Sequence, residues 1–286
     1  MKKLLLVLSL FCSVVFADPI IIFSTAPAGG NIDGVARVLN KELNDNGYDS
    51  SVITQSGANG DIAYNQTMTR PNSIMVGALH NIGLSHVLSE RENFHVKTMK
   101  LIGPIIEFPF GFISGTKGFT SFEEMIQYAK INPLPCGTPG ATVIELQRIN
   151  QLYGTKFESV PYRGAAQMKM DLLNNELKCG FDGVGVFMQE YTNKTVKFLA
   201  VNNPVKDVPL IKNTLKNYKY EAWSVIGIPN NSKLLEDEKF MNILTKITKN
   251  DRMISFASSR DLHISTPDND INERVVRWSN QYMNLK

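Results

Sequence analysis

A glycine-rich segment near the amino terminus has the residue types of an anion-binding loop. It runs from Thr25 to Ala36, and Gly29 and Gly30 lie between an apolar run and a helical pattern. Glycine allows close backbone approach to a ligand because it lacks a Cβ atom and tolerates positive φ angles. The N-H groups at a helix N-terminus have no partners within the helix and favour anions. The segment predicts a main-chain anion site, although an ordinary strand-to-helix turn has the same pattern.

The residues after the two glycines extend this pattern. We expect Asn31 to cap the helix and Asp33 to lie in its first turn, where a carboxylate is favourable. The preceding strand is predicted at Pro19 to Ser24. The helix should bury one face, because its apolar residues have helical spacing: Ile32, Val35, Ala36, Leu39 and Leu43.

Two further strands in the first third of the chain end at candidate binding residues. Ser51 to Gln55 leads into Ser56-Gly57-Ala58-Asn59-Gly60, and a helix is predicted from Asp61 to about Thr69. The next strand, Ser73 to Leu79, ends at His80-Asn81. Ligands of open α/β sheets bind at the carboxyl ends of the strands, so we expect these segments to lie near one site.

A similar series of elements recurs in the middle of the chain. The segment from Leu134 to Thr142 predicts a strand, a glycine-rich loop and the start of a helix that stops at Gly154. Two later strands end at Arg163-Gly164 and at Asp182-Gly183. These segments predict a second set of binding loops.

Two smaller features concern capping and the cysteines. Thr120 and Glu123 predict a capping box at the start of another helix. Cys136 and Cys179 each precede a glycine near a strand end. A disulfide between neighbouring strands and a pair of buried thiols both remain open.

Composition excludes several classes of function. The formal charge is +3 over 286 residues, and Lys2 and Lys3 contribute two of these charges, which gives no support to nucleic-acid binding. The sequence lacks a Gly-x-Ser-x-Gly elbow, a paired-histidine zinc motif and a phosphate-loop lysine, and its four histidines are scattered. We therefore expect no catalysis, no metal and no cofactor.

The alternation of strands and helices predicts an α/β fold of two lobes, each a mainly parallel sheet flanked by helices. Residues 1–17 have the pattern of a cleavable signal peptide, and no later stretch approaches the roughly 20 apolar residues of a membrane span. Two extended crossover segments divide the rest into lobe 1, residues 18–107 and 225–286, and lobe 2, residues 108–224. A cleft between two lobes is a preferred place for a small-molecule site.

Several motifs together resemble the periplasmic substrate-binding proteins of tripartite tricarboxylate transporters. The order of the motifs is more specific than any one of them, and the resemblance covers nearly the whole chain after the signal. The matching residues are Pro27-Ala28-Gly29-Gly30 with Asp33 and Ala36-Arg37, Ser56 to Gly60, Gly137 to Thr142, Val160 to Gly164, Asp182, Leu199-Ala200-Val201 and Trp223.

The resemblance implies a two-lobed (type II, Venus flytrap) periplasmic binding protein that closes on a small carboxylate-bearing solute. It also implies delivery of the solute to integral membrane transporter subunits by a monomer without a cofactor. Presentation of the ligand to a membrane sensor, and an amino acid or aromatic acid as ligand, stay open as alternatives. Carried over by position, the ligand-binding residues are Ala28, Gly29, Asn31, Asp33, Gly57, Ala58, Asn59, His80 and Asn81 in lobe 1, and Thr138, Ala141, Thr142, Arg163 and Asp182 in lobe 2.

Overall fold

The computed structural model describes residues 18–84 and 94–283. The predicted signal peptide, residues 1–17, lies outside the described residues. Within the described ranges, none of the helices combines the length and the apolar character that a membrane crossing requires.

Strands and helices alternate along the chain, as the sequence predicts. The strands are β1 Ile20–Ser24, β2 Ser50–Thr54, β3 Ser73–Ala78, β4 Met99–Ile102, β5 Ile106–Glu107, β6 Phe110–Gly115, β7 Leu134–Pro139, β8 Phe157–Tyr162, β9 Gly180–Gly183, β10 Val196–Val201, β11 Ser224–Pro229 and β12 His263–Ile264. The α-helices are α1 Asn31–Asp45, α2 Asp61–Thr69, α3 Leu79–Gly83, α4 Phe94–Thr98, α5 Phe122–Ile131, α6 Thr142–Tyr153, α7 Ala165–Leu173, α8 Met188–Thr192, α9 Ile211–Thr214, α10 Glu238–Thr245, α11 Asp251–Ser258 and α12 Ile271–Asn280.

The first sheet has the strand order β2-β1-β3-β11-β4. β1 is parallel to β2 and β3, whereas β11 is antiparallel to its neighbours β3 and β4. Phe23 in β1 is buried in the core. Because β1, β2 and β3 are parallel, the loops after them leave the same edge of this sheet.

The predicted apolar face of α1 is buried in full: Ile32, Val35, Ala36, Leu39 and Leu43.

The second sheet has the strand order β10-β6-β9-β7-β8. β7 is parallel to both β8 and β9, and β6 is antiparallel to β9 and β10. Cys136 in β7 and Cys179, the residue before β9, form a disulfide that links the two neighbouring strands. Of the two possibilities left open by the sequence, the structure has the bridge.

The chain crosses from the first sheet to the second through β5 and returns through the residues before β11. Trp223 on the return segment is buried, and its indole N-H donates to a Glu221 carboxylate oxygen at 3.0 Å. The Arg274 guanidinium from α12 donates to the same oxygen and lies 5.5 Å from the Trp223 ring centroid. Trp223 therefore packs at the crossover. The residue boundaries of the two lobes, 18–107 with 225–286 and 108–224, stay a prediction.

The helix cap predicted at Thr120 and Glu123 is wrong by one residue. Ser121 is the N-cap of α5, and its hydroxyl oxygen accepts from the Glu124 N-H at 3.1 Å. The Glu124 carboxylate reaches back and accepts from the Thr120 N-H at 2.8 Å. Glu123 instead accepts a hydrogen bond from the hydroxyl of Thr214.

A buried charged cluster joins α6 to the return crossover and to the end of α12. Glu145 and Arg148, both on α6, form a two-point ion pair with distances of 2.9 and 2.7 Å. The Arg148 guanidinium also donates to the Lys219 carbonyl oxygen at 2.6 Å. From the far end of the chain, the Tyr282 hydroxyl donates to Glu145 Oε2 at 2.9 Å. Residues from both lobes therefore meet in this cluster.

Candidate functional site

The first loop has the expected glycine geometry but not the expected cap. Gly29 has φ +83°, a left-handed conformation that glycine adopts without strain. α1 begins at Asn31 with Gly30 as its N-cap, so the prediction that Asn31 caps the helix is wrong. The physical reason is that Asn31 Oδ1 accepts instead from Arg260 Nη1 at 3.0 Å.

Asp33 lies in the first turn of α1, as predicted, and its carboxylate bonds back to the loop before the helix. Its side chain is 1% exposed, and Oδ2 accepts both from the Gly29 N-H at 2.9 Å and from Arg37 Nε at 2.7 Å. The Gly29 N-H is therefore already paired within the chain. Asp33 holds the loop in shape, and a role for its carboxylate in contacting an anionic ligand has no support in this geometry.

The second loop, between β2 and α2, ends in four consecutive residues with positive φ angles. The angles are +124° at Gly57, +44° at Ala58, +52° at Asn59 and +100° at Gly60. The Gly60 N-H donates to the Gly57 carbonyl at 2.9 Å. Within the described part of the chain, the N-H groups of Gly57, Ala58 and Asn59 have no acceptor. The loop therefore presents three unpaired main-chain donors in succession.

Asn81 connects the ends of all three strands of this edge. Its Oδ1 accepts from the Thr25 hydroxyl at 2.9 Å and from the Ala78 N-H at 3.0 Å, and its Nδ2 donates to the Asn59 carbonyl at 3.0 Å. The Asn81 side chain is thereby committed to neighbouring protein groups. It positions the second loop rather than offering its amide to a ligand.

His80, one residue earlier, is partly buried beside the aromatic residues of the second sheet. Its ring centroid lies 6.5 Å from that of Phe110 in β6, which in turn packs against Tyr220. Burial lowers the pKa of His80 to about 4, because the charged imidazolium is poorly solvated there. At neutral pH, His80 is therefore a neutral hydrogen-bonding group and not a cation.

In lobe 2, the loop between β7 and α6 supplies the second set of donors. The hydroxyls of Thr138 and Thr142 are used within the protein, the first with Ser159 and the second as a donor to the Pro139 carbonyl at 2.8 Å. Ala141 is buried at the start of α6. Among the described residues, the N-H groups of Ala141 and Thr142 have no acceptor. The main chain of this loop, rather than its hydroxyls, is available.

The loops of the two lobes face each other across a narrow gap. A Cβ atom built on Gly140 would lie 3.8 Å from Asn59 Oδ1, and one built on Gly185 would lie 3.3 Å from Asn31 Nδ2. Gly140 and Gly185 belong to lobe 2, whereas Asn31 and Asn59 belong to lobe 1. The structure thus brings together the two sets of loops predicted from the sequence.

The remaining predicted residues are Ala28, Arg163 and Asp182. Ala28 is exposed beside Gly29, and Arg163 is exposed between β8 and α7. Asp182 lies in β9 opposite Gly111 of β6. Burial raises the pKa of Asp182 to about 7. A hydrogen bond with the Gly183 backbone lowers this pKa, but the effect of burial is larger. Asp182 is therefore only partly ionised near neutral pH.

Two residues of this region were not predicted. Arg260 donates through Nη1 to the Gly29 carbonyl and to Asn31 Oδ1, both at 3.0 Å. His95 contacts Asp61, the first residue of α2, through Nε2 at 3.2 Å and the Asn81 carbonyl through Nδ1 at 3.1 Å. Both lie far along the chain from the loops that they hold, and no local pattern points to them.

Comparison with known proteins gives curated relatives at low identity. No protein-family model matches the chain. A UPF0065 protein of Agrobacterium vitis is 25% identical over 261 residues, which cover 85% of this chain and 75% of the relative. A UPF0065 protein of Bordetella bronchiseptica is 22% identical over 225 residues, which cover 74% of this chain and 67% of the relative.

Solved structures match over most of their length. A Rhodopseudomonas palustris protein with adipate superposes with a TM-score of 0.80 and 18% identity, covering 93% of this chain and 97% of that one. MatC of the same organism, with bound malate, gives 0.72 and 16%, covering 93% and 98%. A TctC solute-binding protein from Polaromonas gives 0.69 and 16%, covering 93% and 97%.

The chain therefore has the fold of the two-lobed periplasmic binding proteins, with facing loops at the gap between its lobes. Its resemblance to the substrate-binding proteins of tripartite tricarboxylate transporters, predicted from the sequence, is confirmed by these comparisons.

Proposed function

We propose that this protein is a periplasmic solute-binding protein that captures a small carboxylate-bearing solute between its lobes and delivers it to a tripartite tricarboxylate-type membrane transporter. One observation carries the proposal. The loop at Gly57 to Asn59 and the loop at Ala141 and Thr142 present unpaired main-chain N-H groups from opposite lobes across one gap. The signal peptide predicted at residues 1–17 supports the periplasmic location.

These donors suffice for useful affinity. A micromolar dissociation constant corresponds to about 8 kcal/mol, and a hydrogen bond to a charged group contributes about 1.5 to 3 kcal/mol. Four to six donors around a carboxylate would cover this after ordering costs. Because the donors come from both lobes, the ligand binds the closed form more tightly than an open form and shifts the population towards closure.

The similar proteins support a carboxylate as the solute, since two of them were solved with adipate and with malate. Asp182 favours a second candidate, a solute that also carries an amine or a hydroxyl, because a carboxyl group can accept a hydrogen bond from either. Delivery to a transporter and presentation to a membrane sensor both need a closed, loaded surface. Neighbouring genes for large and small integral membrane subunits would favour transport, whereas a lone gene beside a sensor would favour signalling.

The primary experiment is a thermal-shift panel with mature protein stripped of carried-over ligand. The panel contains dicarboxylates, tricarboxylates, acidic amino acids and aromatic acids. A ligand that binds only the native state raises the melting temperature, so we expect at least one acid to give a clear shift. No shift with any member contradicts the carboxylate proposal.

Matched glycine variants then test whether both lobes line one site. Gly29 and Gly140 precede α1 and α6 at the gap, whereas Gly47 and Gly154 follow the same helices on the far side; all four have positive φ angles and no contact under 3.8 Å for an added Cβ. Gly29→Leu and Gly140→Leu are expected to weaken binding of the best acid at least tenfold. Gly47→Leu and Gly154→Leu carry the same backbone strain and should bind normally. Loss in only one of the two loop variants, with both folded, contradicts a two-sided clamp.

A further inference from the structure

A groove of about 510 Å³ lies at the gap between the lobes and is lined by residues of both. Asn31 and Arg260 line it from lobe 1, and Gly185, Gln189 and Asn193 line it from lobe 2. Its size falls in the range of small-molecule sites in proteins. Asn31 belongs both to this groove and to the first loop of the candidate site, so the groove continues that site.

Arg260 differs from most arginines of this protein in its charge environment. Arg37, Arg148, Arg252, Arg274 and Arg277 each form an ion pair with a carboxylate. Within the residues that the structure describes, Arg260 forms none, although Asp261 follows it directly. Arg260 therefore leaves a positive charge without a carboxylate partner in the groove.

The Arg260 guanidinium is held in place by neutral groups. Nη1 uses its two hydrogens on the Gly29 carbonyl and on Asn31 Oδ1, each at 3.0 Å, and the guanidinium lies 5.0 Å from the centroid of the Phe256 ring. The Nε and Nη2 hydrogens have no acceptor in the described chain. That edge of an arginine matches the two oxygens of a carboxylate.

The same contact orients Asn31 towards the opposite lobe. Because Asn31 Oδ1 accepts from Arg260, its Nδ2 donor points away from the guanidinium, and it lies 3.3 Å from the Cβ position of Gly185. Gln189 and Asn193, whose side chains carry amide groups, line the other wall. Charged and neutral donors from both lobes thus converge on one groove.

We propose that this groove is a second carboxylate subsite, in which Arg260 and Asn31 bind the far carboxylate of the solute and Gln189 completes the subsite when the lobes close. The inference rests on the proposed function, since the near carboxylate is held by the facing loops. It makes Arg260 a specificity-determining residue, because only a solute with a second carboxylate gains from it. Asp261 at the rim disfavours anions that do not reach the guanidinium.

The test compares acids of equal chain length with one or two carboxylates. Dissociation constants for adipate against hexanoate, and for succinate against butyrate, are measured by calorimetry on the mature wild-type protein, Arg260→Gln, Gln189→Ala and the control Arg252→Gln. Arg252 is an exposed arginine of the same region that pairs with Glu42 and Asp45 away from the groove. Wild type is expected to prefer a dicarboxylate at least tenfold. Arg260→Gln should abolish that preference, Gln189→Ala should reduce it, and Arg252→Gln should retain it.

Each contrary result has a distinct meaning. An unchanged preference in Arg260→Gln overturns the subsite. An equal loss of both acids of a pair in that variant also overturns it, because Arg260 would then act only by placing the Gly29 loop. Equal wild-type affinity within each pair refutes the second carboxylate alone, whereas failure of every acid to bind wild type contradicts the proposed function itself.

Discussion

The buried ion pair of α6 gives a sharp test of how charge is accommodated in this fold. Glu145 is 1% exposed and Arg148 is 7% exposed, and the Arg148 guanidinium donates two hydrogen bonds to the Glu145 carboxylate. Arg148→Met removes the cation and leaves the Glu145 carboxylate buried without a charged partner. An uncompensated buried charge of this kind costs about 3 to 5 kcal/mol of stability.

Arg252→Met is the matched control. Arg252 also bonds two carboxylates, at 2.9 Å to Glu42 and 2.6 Å to Asp45, but its side chain is 43% exposed. Surface pairs of this kind contribute about 0 to 1 kcal/mol. Chemical denaturation of the two variants beside wild type measures the difference in the free energy of unfolding. A loss in Arg148→Met no larger than that in Arg252→Met would refute the reasoning.

The pH dependence of the same variant has a defined sign. Burial raises the pKa of Glu145, and loss of the Arg148 cation raises that pKa further. A carboxyl group whose pKa is higher in the folded state than in the unfolded state binds more protons when folded, so stability falls as pH rises. Arg148→Met should therefore recover stability as pH is lowered from 7 towards about 4.5. A constant deficit over this range would contradict an ionised Glu145 as its cause.

Two other perturbations test the second lobe. Replacing Cys136 and Cys179 together by serine opens a link with a sequence separation of 43 residues, and chain entropy predicts a loss of about 4 kcal/mol; equal denaturation midpoints for the variant and oxidised wild type would show that the bridge adds nothing. Because burial raises the pKa of Asp182 to about 7, its folded pKa exceeds the unfolded value of about 4, and its contribution to stability is lost as pH rises between these values. Asp182→Asn should flatten that part of the stability profile, and an unchanged slope in the variant would contradict this assignment.

Local sequence patterns predicted the elements that carry the site because those patterns reflect local physics. The helix expected at Asp61 to Thr69 has those bounds, since a glycine precedes it and its last residue is followed by Arg70-Pro71, where a proline disfavours helix. The cap of α5 was misplaced because Thr120 with Glu123 and Ser121 with Glu124 offer the same spacing in two registers. Only packing, which buries Phe122, selects the second.

Side-chain partners across the fold could not be read from the chain. Arg260 is separated by 231 residues from the Gly29 carbonyl to which it donates, and nothing near Arg260 signals that contact. Asp33 was correctly placed in a helix first turn, but its bond to the Gly29 N-H depends on the left-handed backbone of the loop. The sequence thus predicted which loops meet, and the structure supplied the groups that fix them.

The hydrogen bond from Tyr282 adds a side-chain connection between the lobes to the two backbone crossovers. α12 packs against α3, where the Ser279 hydroxyl donates to the Gly83 carbonyl, while the Tyr282 hydroxyl donates to a carboxylate 137 positions earlier in lobe 2. Opening of the lobes would therefore either move α12 together with lobe 2 or break the hydrogen bond from the Tyr282 hydroxyl to the buried Glu145 carboxylate. The angle between the lobes therefore depends in part on a carboxyl-terminal residue that belongs to none of the candidate binding loops.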